Sequence, residues 1–160
     1  MKTSVLDDPT SSELRRLAVD LLARREHSRL EIFRKLSLRT RSHDQLNAVL
    51  DDLAERGWQS DQRYAALFVR SKVSRGIGAL RLKQELKQKG VAGSLAQEAL
   101  MSAEVDWFEL ALSVARKKYA SVSAHDKWRE KLYRFLMYRG FDGEQIEYAL
   151  SVLKDDRQSL

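Results

Sequence analysis

Residues 132–153 read LYRFLMYRGFDGEQIEYALSVL, and the same apolar pattern stands fifty residues earlier and fifty before that. Its counterparts are residues 82–103, LKQELKQKGVAGSLAQEALMSA, and residues 32–53, IFRKLSLRTRSHDQLNAVLDDL. In this register Ile32, Leu82 and Leu132 align, as do Leu36, Leu86 and Leu136, then basic Arg39, Lys89 and Arg139. Further along, Leu46 matches Ala96 and Ile146, Val49 matches Ala99 and Ala149, Leu50 matches Leu100 and Leu150, and Leu53 matches Ala103 and Leu153. So many matches in one register mark an internal repeat.

The spacing inside each repeat is helical. Ile32 to Leu36 is an i,i+4 step, and Leu46, Val49, Leu50 and Leu53 follow i, i+3, i+4, i+7, which puts them on one face. Gly90 and Gly140 stand where a helix must end, because a left-handed backbone angle costs glycine least. The next helix opens with Ser42-His43-Asp44-Gln45 in the first repeat and Asp142-Gly143-Glu144-Gln145 in the last, both with capping-box spacing. The middle repeat has Ala92 at the matching position, so Ser94 with Gln97 is the expected box there.

A helix precedes each pair, over about Leu14–Glu26, Asp61–Arg75 and Asp106–Tyr119, with the longest following connection around Ala120 to Asp126. The reading is all-α: nine helices in three tandem three-helix repeats, at 11–57, 58–104 and 105–154, between a flexible N-terminus (1–10) and a polar tail (155–160). A unit of about fifty residues buries little surface alone, so neighbours must stabilise one another. Such a chain is expected to be elongated and curved, suited to lying along a groove or filament rather than enclosing a small substrate.

Composition agrees. Only seven Gly and one Pro occur in 160 residues, too few for a turn-rich β protein. Residues 1–14 are polar, with Asp7, Asp8 and Pro9, and hold no apolar core of a signal peptide. The longest apolar run, Tyr64 to Val69, falls far short of a membrane span. Absence of Cys excludes disulfides and thiolate chemistry and suits a reducing cytoplasm.

The net charge of +6 is local. Between Arg70 and Lys89 stand seven basic residues (Arg70, Lys72, Arg75, Arg81, Lys83, Lys87, Lys89) against one acid, Glu85, while the rest of the chain is balanced at 22 and 22. That points to a surface for a polyanion or an acidic protein groove, against the plainer reading of a solvated face. Lys83 and Lys87 lie one turn apart, off the Leu82/Leu86 stripe, and Gly76 and Gly78 would let a partner's backbone approach. In the last repeat Lys127, Lys131, Arg134 and Tyr138 form a second stripe. Trp58, Tyr64, Phe68, Trp107, Phe108 and Phe141 are read mostly as core, with Tyr138 the candidate exception.

Catalytic signals are missing. His27, His43 and His125 each fall near a helix end without metal-ligand spacing, so surface or capping roles are expected and no metal or cofactor is. Gly76-Ile77-Gly78 is too short for a dinucleotide fingerprint, and neither a P-loop nor a nucleophile elbow is present. A metal-dependent nuclease would need a carboxylate cluster that the sequence does not offer.

Several stretches resemble the RecX family. They are Leu22-Ala23-Arg24-Arg25-Glu26-His27-Ser28, Leu53-Ala54-Glu55-Arg56-Gly57-Trp58, and the run from Arg70 through Gly78 with Leu86-Lys87-Gln88-Lys89-Gly90. Arg134-Phe135-Leu136-Met137-Tyr138-Arg139-Gly140-Phe141 completes the set, and Ala79 departs from it, since many relatives have Pro there. The resemblance implies three tandem three-helix repeats. It further implies a non-enzymatic, cytoplasmic regulator that binds the RecA recombinase–DNA filament and restrains ATP hydrolysis, strand exchange and filament growth. Recombination, repair and the SOS response would be modulated in consequence. On that reading Arg70, Lys72, Arg75, Arg81, Lys83, Lys87 and Lys89 form the principal contact surface, Lys131, Arg134 and Tyr138 a secondary one, and the chain is a monomer. The alternative is an independent DNA-binding protein, because three-helix units resemble helix-turn-helix domains.

Overall fold

The computed structural model describes residues 7–159, and among these there are nine helices and no strand. In chain order they are α1 (Ser11–Arg24), α2 (Arg29–Leu36), α3 (His43–Glu55), α4 (Asp61–Val73), α5 (Ala79–Gln88), α6 (Gly93–Ser102), α7 (Trp107–Val122), α8 (Trp128–Arg139) and α9 (Gly143–Gln158). The flexible N-terminus expected over 1–10 falls largely on residues 1–6, outside the described residues; Thr10 already caps α1, forming a full box with Glu13. At the other end α9 continues through residues 155–158 of the expected tail.

The repeat register is the core register. Ile32, Leu82 and Leu132 are fully buried, and so are Leu86 and Leu136, with Leu36 nearly so. Three separate apolar cores result. Leu14 and Ala18 of α1 pack with α2 and α3; Tyr64, Ala65 and Val69 of α4 pack with α5 and α6; Ala111, Leu112 and Ala115 of α7 pack with α8 and α9. The first core holds eight buried residues, too few for much independent stability, so the joints between units carry weight.

Gly90 and Gly140 both take positive φ (77° and 96°), as their places at helix ends require. The capping chemistry differs from expectation in two units. Asp142 and Gln145 form the complete box, whereas Ser42 caps the Gln45 amide while the Gln45 side chain turns away to donate to Ser11 Oγ at 2.8 Å. In the middle unit no Ser94/Gln97 box forms, because α6 starts after Ala92 and Ser94 lies inside its first turn. The fifty-residue register prevailed over local capping preference: core packing of Ala96, Ala99 and Leu100 fixes where the helix begins. The third unit's connection is five residues, 123–127, no longer than 74–78 in the second, because α7 runs on to Val122.

Inter-unit hydrogen bonds and ion pairs among the described residues join first to second or second to third, so the units follow one another in line. The two joints differ in kind. At the first, side chains do the joining: the Arg29 amide donates to Asp61 Oδ1 at 2.9 Å, Gln59 Nε2 donates to the His27 carbonyl, and Arg63 pairs with Glu26 at 2.9 Å. Glu31 accepts from the Ser28 amide and from both terminal nitrogens of Arg25, with Lys89 of the second unit 3.7 Å away. Burial alone would raise the Glu31 carboxyl, but Arg25, the Ser28 amide and Lys89 outweigh it and hold the group at about 2.

At the second joint backbone pairs with backbone as well, beside the side-chain bonds of Arg81 and Arg139. Gly78 N–H donates to the Arg139 carbonyl at 2.7 Å and Leu80 N–H to the Gly140 carbonyl at 3.0 Å. This corrects the expectation that Gly76 and Gly78 serve a partner's approach. Gly78 admits the chain's own third unit, and a methyl at Gly76 would collide with Val114.

Candidate binding surface

The candidate residues divide among different places on the fold. Arg70 is exposed on α4 and Lys83 and Lys87 are exposed on α5; none of the three makes an ion pair among the described residues. Lys72, Arg75 and Lys89 line a groove between the first and second units, together with Tyr64, Phe68 and the buried Glu31. Lys72 rests over the Phe68 ring at 5.5 Å, and burial with the neighbouring Glu31 carboxylate raises the Tyr64 hydroxyl.

Arg81 and Tyr138 come together, although 57 residues separate them. The guanidinium lies 5.0 Å from the Tyr138 ring, donates to the Tyr138 carbonyl, and pairs with Glu85 at 3.1 Å. Arg81 is therefore largely engaged within the chain. Around this pair runs a groove between α5 and α8 with three exposed apolar side chains, Leu80, Met137 and Tyr138, of which Tyr138 is 73% exposed. Lys131 and Arg134 lie nearer the start of α8, Arg134 beside Arg129 and Glu147 in a groove lined by no middle-unit residue.

On another side of the same joint is a cleft that the linear sequence did not disclose. Arg75, Lys117, Lys118 and Arg139 line it, with Phe135 at its wall and no carboxylate among its lining residues. Arg139 Nη1 donates to the Arg75 carbonyl at 2.9 Å while its guanidinium stacks 4.9 Å from the Phe135 ring; Lys118 Nζ lies 5.1 Å from that ring. The adjacent pair Lys117-Lys118 was the one signal in the sequence, and nothing there tied it to Arg75.

The aromatics fall as expected in part. Tyr64 and Phe141 are buried and Tyr138 is exposed, but Trp58 and Phe108 are 49% and 40% exposed. His43 and His125 are exposed. His27 departs from the expected surface role: it is buried, with Nδ1 3.0 Å from the Arg25 carbonyl, because the second unit closes over the α1–α2 connection. Its imidazole pKa is lowered, chiefly by that burial. No group of three or more potential metal ligands stands together among the described residues, and no described helix is long and apolar enough to cross a membrane.

Comparison with known proteins places this architecture. The profile of the RecX second three-helix domain matches residues 60–100, and that of the third three-helix domain matches residues 104–150. Regulatory protein RecX of Chromohalobacter salexigens is 42% identical over 84% of this chain and 88% of its own. That of Vibrio campbellii is 40% identical over 94% and 97%, and that of Pseudomonas putida 42% over 93% and 95%. The crystal structure of RecX from Lactobacillus salivarius superposes with a TM-score of 0.79 over 90% of this chain and 96% of the other, at 22% identity.

Proposed function

The chain belongs to the RecX family, and on that premise we propose that it is a non-enzymatic regulator of the RecA recombinase. In this reading it binds the RecA–DNA filament as a monomer, in the cytoplasm where that filament forms. Bound there, it inhibits ATP hydrolysis, strand exchange and filament extension, and so tempers recombination, repair and the SOS response. Residues 11–57, 58–104 and 105–154 act as its three working units.

One observation carries the structural side of this reading. The middle unit and its joint with the third present two unlike surfaces: exposed cations, Arg70, Lys83 and Lys87 among them, and an exposed apolar group of Leu80, Met137 and Tyr138. A protein that must meet a nucleoprotein filament needs both, since phosphates attract cations while a protein partner rewards burial of apolar surface. Units in line can engage successive protomers. The alternative, an independent DNA-binding protein, draws on the cations alone and leaves the apolar group unused.

The deciding experiment is RecA's DNA-dependent ATPase with this protein titrated from sub-stoichiometric to equimolar ratios. Inhibition well below one per RecA supports action on growing filament ends, and inhibition only near equimolar supports coating of the groove. With helicity intact, no inhibition in either regime would reject RecA regulation in favour of the alternative.

A further inference from the structure

We propose that the cleft between the second and third units is a phosphodiester site, in which Arg75, Lys117, Lys118 and Arg139 receive the backbone of a nucleic-acid strand lying across the joint. The cleft has a volume of about 670 Å³ and draws its cations from three places: the α4–α5 connection, α7 and the end of α8. Gathering Lys117, Lys118 and Arg139 with no carboxylate in the lining, and with Arg75 at the edge this cleft shares with the first-joint groove, costs repulsion, which a bound polyanion relieves. Other cations at the joints have carboxylate partners, Arg63 in Glu26, Arg81 in Glu85, and Arg25 and Lys89 in Glu31.

The cations are also prepared for the task. Arg139 is held by the Arg75 carbonyl through one terminal nitrogen, and Phe135 supports both Arg139 and Lys118. Ordering the side chains beforehand lowers the entropic cost of binding, and Arg139's remaining N–H groups suit paired phosphate oxygens. Because the cations come from both units, a bound strand also fastens the second unit to the third. The inference rests on the RecA reading only for its consequence in the filament; the binding itself is measured without RecA.

The test is fluorescence anisotropy of a labelled oligonucleotide, single-stranded in one arm and duplex in the other, across a salt series. Lys117→Gln/Lys118→Gln removes two cations that make no inter-unit hydrogen bond. Arg16→Gln/Lys154→Gln removes equal charge from exposed positions elsewhere. The cleft variant is expected to bind at least about fivefold more weakly at low salt, with the log–log salt slope shallower by about 1.4 for a single strand or about 1.8 for duplex. The control is expected to stay near the unsubstituted protein. The arm in which the cleft variant loses the larger share of its affinity at low salt identifies the strand form. Equal behaviour of the two variants overturns the proposal. So does unchanged DNA binding by the cleft variant, and loss of its affinity for RecA filaments in a separate co-sedimentation assay would then give the cleft to an acidic protein surface.

Discussion

Gly78 and Gly140 meet backbone against backbone, so closely that a methyl on either would collide with its neighbours. Each takes part in one of the two backbone hydrogen bonds that help fasten the second unit to the third, Gly78 N–H donating to the Arg139 carbonyl and Gly140 accepting from Leu80 N–H. Gly140 also holds a left-handed φ of 96°, where any side chain is strained.

Gly78→Ala is therefore expected to destabilise the chain by about 2–3 kcal/mol through overpacking. Gly93→Ala, at a helix start with open space around it, is expected to stay within about 0.5 kcal/mol. Urea unfolding followed by circular dichroism compares them, and equal stability of the two variants would show that the joint yields freely.

Glu31 makes the first joint sensitive to acid. Its folded pKa of about 2 lies below the ordinary 4.5, so its contribution is full above pH 4.5 and is lost as pH falls toward 2. The contribution is on the order of 3 kcal/mol. Glu31→Gln is expected to lower stability at pH 7 by that order and to flatten the stability profile between pH 5 and pH 2. An unchanged profile would place the acid sensitivity elsewhere.

His27 acts in a different window. Burial lowers its pKa below the ordinary 6.5, so the unfolded chain takes up the proton first and stability falls as pH drops below 6.5. His27→Gln is expected to remove that part of the decline, read from denaturant midpoints between pH 7 and pH 5. A decline of the same slope in the variant would count against it.

Reversing the two exposed α5 cations, Lys83→Glu/Lys87→Glu, is expected to weaken filament binding and leave helicity unchanged. Inhibition of RecA's ATPase at full strength would remove the middle-unit surface from the contact.

The apolar group on the α5–α8 side predicts a complementary phenotype. Met137→Ser/Tyr138→Ser is expected to raise the concentration needed for half-inhibition at least about fivefold, equivalent to about 1 kcal/mol or more for exposed anchors. Binding to bare DNA should stay within twofold, and a parallel loss of DNA affinity would contradict a protein-facing role.

The sequence by itself determined the three units and their cores. A period of fifty residues with i, i+3, i+4, i+7 spacing inside it is local information, and helical geometry turns it directly into a buried face, as at Leu82 and Leu86. The family resemblance was legible for the same reason, carried by runs of neighbouring residues. What adjoins what across the joints was not legible. Only the tertiary structure turned Gly78 inward onto Gly140, covered His27, engaged Arg81 with Tyr138, and brought Lys117 and Lys118 to Arg75. These pairings join residues roughly 30 to 60 positions apart, and their geometry is set by how one packed unit seats on the next, which helical periodicity does not encode.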